Sequence, residues 1–271
     1  MTIDRLRAHF GFTRMPFSKE IAPSMLHRYR SHTEALARIT WCIDEQAIGL
    51  ITGEVGAGKT VSIRAAISAV DLSSHTIIYI GNPSIGVQGM YSMIVSTLGH
   101  IPKTPRSLLI PQAQDALSAE QSERGRKVVL ILDDAHLLNT DQLEGLRLLS
   151  NAEMDSNTPF SALLVGQPTL RKKIRLSIFA ALDQRIALRY SMDQMEQEET
   201  SSYVTHHLKI AGRSDTLFSE DALALIHQVS RGLPRAVNNL AVQSLVAALA
   251  TSKSIVDESS ARQAVAEVTT E

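Results

Sequence analysis

The sequence predicts an α/β fold in which a parallel sheet is flanked by helices, followed by a C-terminal all-α domain. Between residues 31 and 192, short apolar runs rich in β-branched residues alternate with segments of helical period, which is typical of parallel sheets. After about Glu196 only amphipathic helical patterns remain. The predicted domains are therefore a lead-in segment at 1–30, an α/β core at 31–192 and a helical domain at 193–271.

The individual elements follow from local patterns. Residues 1–30 contain Pro16 and Pro23 and are expected to be irregular. Residues 101–111 hold three prolines and are expected to form a loop. Strands are predicted at 47–52, 76–80, 128–132, 160–165 and 187–191. Helices are predicted at 31–46, 61–67, 87–98, 112–123, 140–152, 197–211, 219–230, 234–250 and 257–268.

The composition is that of an ordinary globular protein. The 271 residues are 44% hydrophobic and 20% charged, with a net charge of −1, so any nucleic-acid site must be local or formed by oligomerisation. A single cysteine, Cys42, excludes an intrachain disulfide and fits a reducing compartment. The sequence shows neither a signal-peptide pattern nor a membrane-spanning run. A cytoplasmic protein without a membrane partner is therefore expected.

The segment Gly53–Thr60, with the sequence GEVGAGKT, fits the phosphate-binding P-loop pattern G-x-x-x-x-G-K-[ST]. It lies between a predicted strand and a predicted helix, which is the context that the motif requires. Backbone N–H groups of the loop and the helix N-terminus are expected to bind the phosphates of ATP. Lys59 would contact the β- and γ-phosphates, and Thr60 would bind Mg²⁺. The predicted nucleotide-binding residues are Gly53, Glu54, Val55, Gly56, Ala57, Gly58, Lys59, Thr60 and Val61.

Two acidic residues, Asp133 and Asp134, follow the predicted strand 128–132. Ligands bind at the carboxyl ends of parallel strands, so these side chains are expected beside the P-loop. Asp133 would bind Mg²⁺ directly or through water, and Asp134 would orient or deprotonate the attacking water. The alternative is that both acids cap the next helix. Asp134 is one methylene shorter than the glutamate usual at this position, which argues against fast hydrolysis.

The order of motifs along nearly the whole chain resembles that of ExeA-like AAA+ ATPases. The motifs are Phe10-Gly11-Phe12, Pro16-Phe17, Ser31–Leu36, the P-loop, Asp133–His136, Leu164–Pro168, Gln184-Arg185-Ile186 and Gly232–Arg235. The resemblance implies a P-loop AAA+ core with a helical lid domain. One branch of the family consists of secretion ATPases with a membrane span. The other consists of short proteins encoded beside transposases, functionally similar to the TnsC, TniB, MuB and IstB group. This chain has no span and ends where the ATPase ends, so the second type is expected.

The same resemblance assigns roles to three further residues. Gln167 would be a sensor of the γ-phosphate, or else a residue that caps a helix. Arg185 would be an arginine finger that enters the neighbouring subunit's site, with Arg189 as the competing candidate. Arg235 would contact the nucleotide from the lid domain. A solvent-exposed arginine without these roles is the alternative for Arg185 and for Arg235.

The resemblance also indicates where DNA could bind. In the transposition group, the segments corresponding to Ser84–Met90 and Ile101–Ser107 surround the pore of a ring. The candidates there are Gln88, Lys103, Thr104 and Arg106, and a second cationic cluster consists of Arg171, Lys172, Lys173 and Arg175. Each set could instead be a solvated face or a subunit contact. Only 4% of the residues are aromatic, which favours contacts to a duplex backbone over stacking on single strands.

The expected function is that of an AAA+ ATPase that binds double-stranded DNA as an ATP-dependent ring or helical filament. It would regulate transposition by selecting a target and by recruiting or activating a transposase. The alternative is an ExeA-type secretion-assembly ATPase, or a nucleotide switch, that acts on a protein partner. No Asn-Lys-x-Asp run is present, which disfavours GTP.

Overall fold

The computed structural model describes residues 3–18, 20–151 and 158–269. The chain divides into two compact units. The first unit comprises Met1–Thr33, Gly56–Gly58 and Asp193–Glu271, and the second comprises Glu34–Val55 and Lys59–Met192. Among the described residues, no helix combines the length and the apolar character needed to cross a bilayer.

The helices are numbered along the whole chain. Helices α1 to α6 are Ile3–Phe10, Arg30–Asp44, Lys59–Ala69, Gly86–Thr97, Arg106–Ser122 and Thr140–Leu149. Helices α7 to α12 are Pro168–Ile174, Ala180–Arg185, Gln197–Ile210, Glu220–Ser230, Pro234–Ala250 and Glu258–Thr269. The predicted helix 140–152 ends earlier, at Leu149, and Ala152 lies outside the described residues. The short helices α7 and α8 were not predicted, because neither is long enough to show a helical period.

The second unit is built on a parallel sheet of five strands, counted over the described residues. The strands are β1 (Ile48–Gly53), β2 (His75–Ile80), β3 (Lys127–Leu132), β4 (Ser161–Gly166) and β5 (Ile186–Met192). Their order across the sheet is β2-β3-β4-β1-β5, and every neighbouring pair is parallel. Strands β1, β3 and β4 are buried almost throughout, which explains their continuous apolar sequences. The predicted α/β class is confirmed.

The segment 101–111 differs from its predicted loop structure. Helix α5 begins at Arg106 and carries Pro111 in its second turn. A proline there removes one helical hydrogen bond, but Leu109, Ala113 and Leu117 of the same helix are fully buried in the core of the second unit. Burial of this face stabilises the helix against the loss. The loop prediction is therefore wrong from Arg106 onward.

The first unit joins the N-terminal residues to the C-terminal helices. Leu6 and Phe10 of α1 are buried in one apolar core with Leu208 of α9 and Leu240 of α11. The prediction that residues 1–30 are irregular is wrong for Ile3–Phe10, since Pro16 and the other breakers lie beyond this helix. The predicted helical C-terminal part is confirmed in α9 to α12.

The turn between α10 and α11 depends on a glycine. Gly232 has φ +69°, and a Cβ there would lie 2.0 Å from the carbonyl oxygen of Met195. The N–H of Met195 donates to the carbonyl of Gly232 at 3.0 Å. This backbone contact leaves no room for a side chain. Gly11 has nearly the same φ, +68°, but a Cβ there would meet nothing within 4 Å.

These two glycines provide a matched test of packing. We expect Gly11→Ala to lower the free energy of unfolding by about 1–2 kcal/mol, the cost of the left-handed region for alanine. Gly232→Ala should lower it by about 1–3 kcal/mol more, because the backbone around Met195 must also move. Urea unfolding followed by circular dichroism measures both. Equal losses in the two variants would contradict the close approach at Gly232.

Candidate active site

The P-loop connects the end of β1 to the start of α3. Gly56 and Gly58 have φ values of +84° and +92°, a region that glycine enters without steric cost. The side chain of Lys59 folds back along the loop and is 9% exposed. Its Nζ donates to the carbonyl oxygens of Gly53 and Glu54, at 2.8 Å each. The loop therefore holds a buried ammonium group beside the N-terminus of α3.

The middle of the loop, Gly56–Gly58, clusters with the first unit. The N–H of Arg235 donates to the carbonyl oxygen of Gly56 at 3.2 Å, and a Cβ at Gly56 would lie 2.7 Å from that of Arg235. The hydroxyl of Tyr29 donates to the carbonyl oxygen of Ala57 at 2.8 Å. Arg235 itself is in the first turn of α11, next to Pro234, and is exposed. Arg235, which the sequence predicts to contact the nucleotide, thus meets Gly56 of the P-loop through its backbone N–H.

Asp133 lies at the end of β3, as predicted, and meets Thr60. Thr60 Oγ1 donates to Asp133 Oδ2 at 2.9 Å. The other carboxylate oxygen, Oδ1, accepts the N–H of Asp134 at 2.9 Å. Asp133 is only 6% exposed, so these donors offset the cost of burying a carboxylate. The structure therefore brings the two predicted Mg²⁺ residues together.

Asp134 has a different environment from Asp133. Its backbone is left-handed at φ +49°, and its side chain is 57% exposed, with Oδ1 3.9 Å from His136 Nδ1. Its side chain makes no capping hydrogen bond, and α6 is capped by Asn139 instead. The side chain of Asp134 therefore does not cap the next helix, which was the alternative to its catalytic role. The exposed carboxylate can reach water.

Gln167 directly follows β4. Gly166 pairs with Thr52 in the sheet, so Gln167 comes at the level where β1 enters the P-loop. It is the N-cap residue of α7, but its side chain makes no capping hydrogen bond. A Cβ at Gly166 would come within 3.0 Å of His136 N, so glycine permits the close approach of β4 to the turn after β3. The side chain of Gln167 therefore does not cap α7, which was the alternative to its role as a sensor.

The two candidate arginine fingers lie elsewhere in the second unit. Arg185 ends α8, where its guanidinium donates to Ser150 O at 3.2 Å and to Asn151 Oδ1 at 3.1 Å. Ile186, the next residue, pairs with Ile48 at the start of β1, whereas the P-loop follows the end of that strand. Five residues of strand, about 17 Å, separate these levels of the sheet. Arg189 lies within β5 and pairs with Asp183, with a nitrogen-to-oxygen distance of 2.9 Å.

Two of the first set of predicted DNA residues, Gln88 and Thr104, are in contact, and all four residues of the set are exposed. Gln88 Nε2 donates to the carbonyl oxygen of Thr104 at 3.1 Å, which joins α4 to the segment before α5. Lys103 and Arg106 are exposed beside this contact. In the second set, Arg171, Lys172 and Arg175 are exposed, but Lys173 is partly buried and donates to the carbonyl oxygen of Leu138.

Tyr79 was missed by the sequence reasoning. Its hydroxyl donates to Asp133 Oδ2 at 3.0 Å, and burial together with the charge of Asp133 raises the pKa of Tyr79 to about 12. The signal was a hydroxyl-bearing residue near the end of strand 76–80. This residue points to Asp133 only once the structure shows that β2 lies beside β3.

The donor set fits Mg²⁺ bound together with a polyphosphate. Over the described residues, no group of three or more His, Cys, Asp or Glu side chains could hold a metal by itself. The Thr60 hydroxyl and the Asp133 carboxylate offer oxygen donors only, and Mg²⁺ commonly takes one or two protein oxygens, substrate phosphates and water. Lys59 and the N-terminus of α3 supply positive charge for the phosphates.

The fold of this chain is the AAA+ fold, and its site has the residue pattern of a P-loop that binds ATP with Mg²⁺. Residues 43–174 match the family model described as AAA domain. The chain is also 34% identical over 244 residues to General secretion pathway protein A of Aeromonas hydrophila. That alignment covers 89% of this chain and 44% of the relative, so the chain spans less than half of the relative's length.

Solved structures show the same fold. Cdc6p from Pyrobaculum aerophilum superposes with a TM-score of 0.72 at 19% identity, covering 93% of this chain and 70% of the other. The Aeropyrum pernix ORC1 protein in complex with DNA superposes with a TM-score of 0.65 at 12% identity, covering 90% and 67%. These similarities support the expected resemblance to ExeA-like AAA+ ATPases and do not show the transposition-helper type.

Lys59 gives the first test of the site. We expect Lys59→Ala to weaken ATP binding at least about tenfold, because a charge-assisted bond to phosphate is lost. Anisotropy of a fluorescent ATP analogue measures the affinity. Lys172→Ala, which removes an exposed lysine of α7, should bind as the wild type does. Unchanged affinity in Lys59→Ala would contradict the P-loop assignment.

Proposed function

We propose that this ATPase assembles on double-stranded DNA as an ATP-dependent ring or helical filament and regulates transposition in the cytoplasm. It would select a target and recruit or activate a transposase. The observation that carries the proposal is the surface joined by the Gln88–Thr104 hydrogen bond. The ORC1 protein of similar fold was solved in complex with DNA, which supports the proposal at the level of fold.

The charge of that surface suits a polyanion. Lys103 and Arg106 are exposed there, and residues 81–114 contain no aspartate or glutamate. Thr104 and Gln88 add a hydroxyl and an amide that can donate to phosphate oxygens. Contacts of this kind read the DNA backbone rather than its sequence. Binding should therefore depend on salt and little on sequence.

The nucleotide site would control the assembly. Lys59 and the backbone of Gly53–Val61 would bind the phosphates, while Thr60 and Asp133 would hold Mg²⁺. Asp134, whose carboxylate is exposed to water, would orient or deprotonate the attacking water. Gln167 would sense the γ-phosphate, since it follows β4 at the level of the P-loop. Arg235 would contact the nucleotide, given its backbone hydrogen bond to Gly56.

Arg185 is proposed to complete the site of a neighbouring subunit. It precedes Ile186, which pairs with the start of β1, whereas the P-loop follows the end of β1. This distance along the sheet is too long for Arg185 to reach a phosphate in its own chain. In the described chain it binds Ser150 and Asn151, and these contacts keep the guanidinium in a defined place until another subunit binds.

Two variants test this role. We expect Arg185→Ala to retain binding of the ATP analogue and to lower hydrolysis by about 10³-fold, the range for a lost arginine finger. Asn151→Ala removes one partner of Arg185 but keeps the guanidinium and its contact with Ser150, and should retain most of the hydrolysis. Phosphate release measures the rates. Wild-type turnover by Arg185→Ala would contradict the assignment and direct the search to Arg189.

Mixing experiments show whether the arginine acts in trans. Asp134→Asn should be inactive by itself, because it lacks the proposed base. In a mixture, an Asp134→Asn subunit supplies an intact Arg185 to a neighbouring Arg185→Ala subunit. That neighbour has an intact Asp134 in its own nucleotide site. Hydrolysis should therefore recover in the mixture. A mixture as inactive as its two components would contradict action between subunits.

The second candidate function is assembly of a secretion apparatus through a protein partner. The relative from Aeromonas hydrophila is a general secretion pathway protein. Near Thr104 in the sequence, the apolar residues Ile101 and Leu108 are 89% and 50% exposed. Apolar side chains exposed close together can form part of a protein contact. This function predicts no affinity for DNA.

Binding to a labelled duplex distinguishes the two functions. Anisotropy is measured with ATP, a non-hydrolysable analogue, ADP and no nucleotide, over a range of salt. We expect binding with ATP or the analogue, and Lys103→Ala/Arg106→Ala should reduce the slope of log affinity against log salt by about 0.9 for each lost phosphate contact. The double variant Lys209→Ala/Arg262→Ala removes two charges from the first unit and should bind normally. Absence of binding in every nucleotide state at low salt would contradict the DNA proposal and favour the protein partner.

A further inference from the structure

We infer that Tyr79 is a positioning residue for the Mg²⁺ site, and that its hydroxyl fixes the orientation of the Asp133 carboxylate. The inference rests on the proposed role of Asp133 in binding Mg²⁺. It adds a third side chain to the site, contributed by a strand that carries none of the recognised motifs.

The hydrogen bonds around Asp133 carry the inference. Asp133 Oδ2 accepts two hydroxyl groups, from Thr60 at 2.9 Å and from Tyr79 at 3.0 Å. Asp133 Oδ1 accepts the N–H of Asp134 at 2.9 Å. The three donors come from α3, from β2 and from the turn after β3, so they fix both the position and the rotation of the carboxylate.

The chain makes room for this position of the tyrosine ring. A Cβ at Gly81 would lie 2.8 Å from Tyr79 Cε1 and 3.2 Å from its hydroxyl oxygen. A side chain at Gly81 would therefore push the ring away from Asp133. The Tyr79 residue is 45% exposed, so core packing does not hold the ring in place. The ring is held by its close approach to Gly81 and by its hydrogen bond to Asp133.

The chemistry of a Mg²⁺ site explains what the hydroxyl would do. Thr60 can bind the cation only through a lone pair of its oxygen, and it donates its proton to Asp133 Oδ2. If the carboxylate rotates, the Thr60 hydroxyl rotates with it and its lone pairs change direction. Mg²⁺ demands near-ideal octahedral geometry, so small rotations weaken binding. By donating to the same oxygen, Tyr79 would restrict that rotation.

The test separates metal binding from nucleotide binding. Affinity for the fluorescent ATP analogue is measured in EDTA and then over a range of Mg²⁺ concentration, for the wild type and for Tyr79→Phe. We expect the affinity in EDTA to stay within about twofold, and the Mg²⁺ concentration for half-maximal effect to rise about three- to tenfold, as for a lost hydrogen bond to a charged group. Thermal unfolding without nucleotide should be unchanged, because the ring is half exposed.

Two further variants separate the position of the ring from a general effect. Gly81→Ala keeps the hydroxyl but displaces the ring, and should raise the Mg²⁺ requirement in the same direction. Tyr190→Phe removes a tyrosine hydroxyl on β5, where the ring contacts Arg38, and should leave the requirement unchanged. If Tyr79→Phe leaves the Mg²⁺ requirement unchanged, the inference about Tyr79 is overturned but the metal assignment is not. A wild type that binds the analogue without any Mg²⁺ effect would overturn the metal assignment and the inference with it.

Discussion

The hydrogen bond between Thr60 and Asp133 is the contact on which the candidate site depends. It joins residues 73 positions apart, one at the start of α3 and one at the end of β3. Strand β4 separates β1 from β3 in the sheet, and Gly166 allows the turn after β3 to approach closely. The sheet order and the packing of that turn thus determine whether the two oxygen ligands can meet. A buried carboxylate without such donors would cost several kcal/mol.

Lys59 illustrates how the P-loop itself stabilises a buried ammonium group. The ammonium group is nearly buried, and the carbonyl oxygens of Gly53 and Glu54 satisfy it. An ammonium group has three N–H donors, and these two carbonyl oxygens accept two of them. The glycines at positive φ keep the loop in the shape that this arrangement requires.

The sequence was sufficient for the fold class and for the residues at strand ends. The runs that form β1, β3 and β4 are continuous and apolar because these strands are buried, and the acids after β3 therefore stood out. It was insufficient where tertiary packing overrides local preference. Pro111 is tolerated inside α5 because Leu109 and Leu117 are buried around it, and α1 is stabilised by residues from the other end of the chain. Tyr79 could not be found, because its contact depends on the neighbour of β2 in the sheet, which no local pattern encodes.

The composition of the first unit has a consequence for synthesis in the cell. Its core combines Leu6 and Phe10 of α1 with Leu208 of α9 and Leu240 of α11. Helix α1 is translated before these partners, because α9 and α11 follow all five strands of the second unit in the chain. Its apolar face lacks these partners during that interval, and exposed apolar surface favours aggregation. This unit therefore cannot complete its core until α9 and α11 have been synthesised.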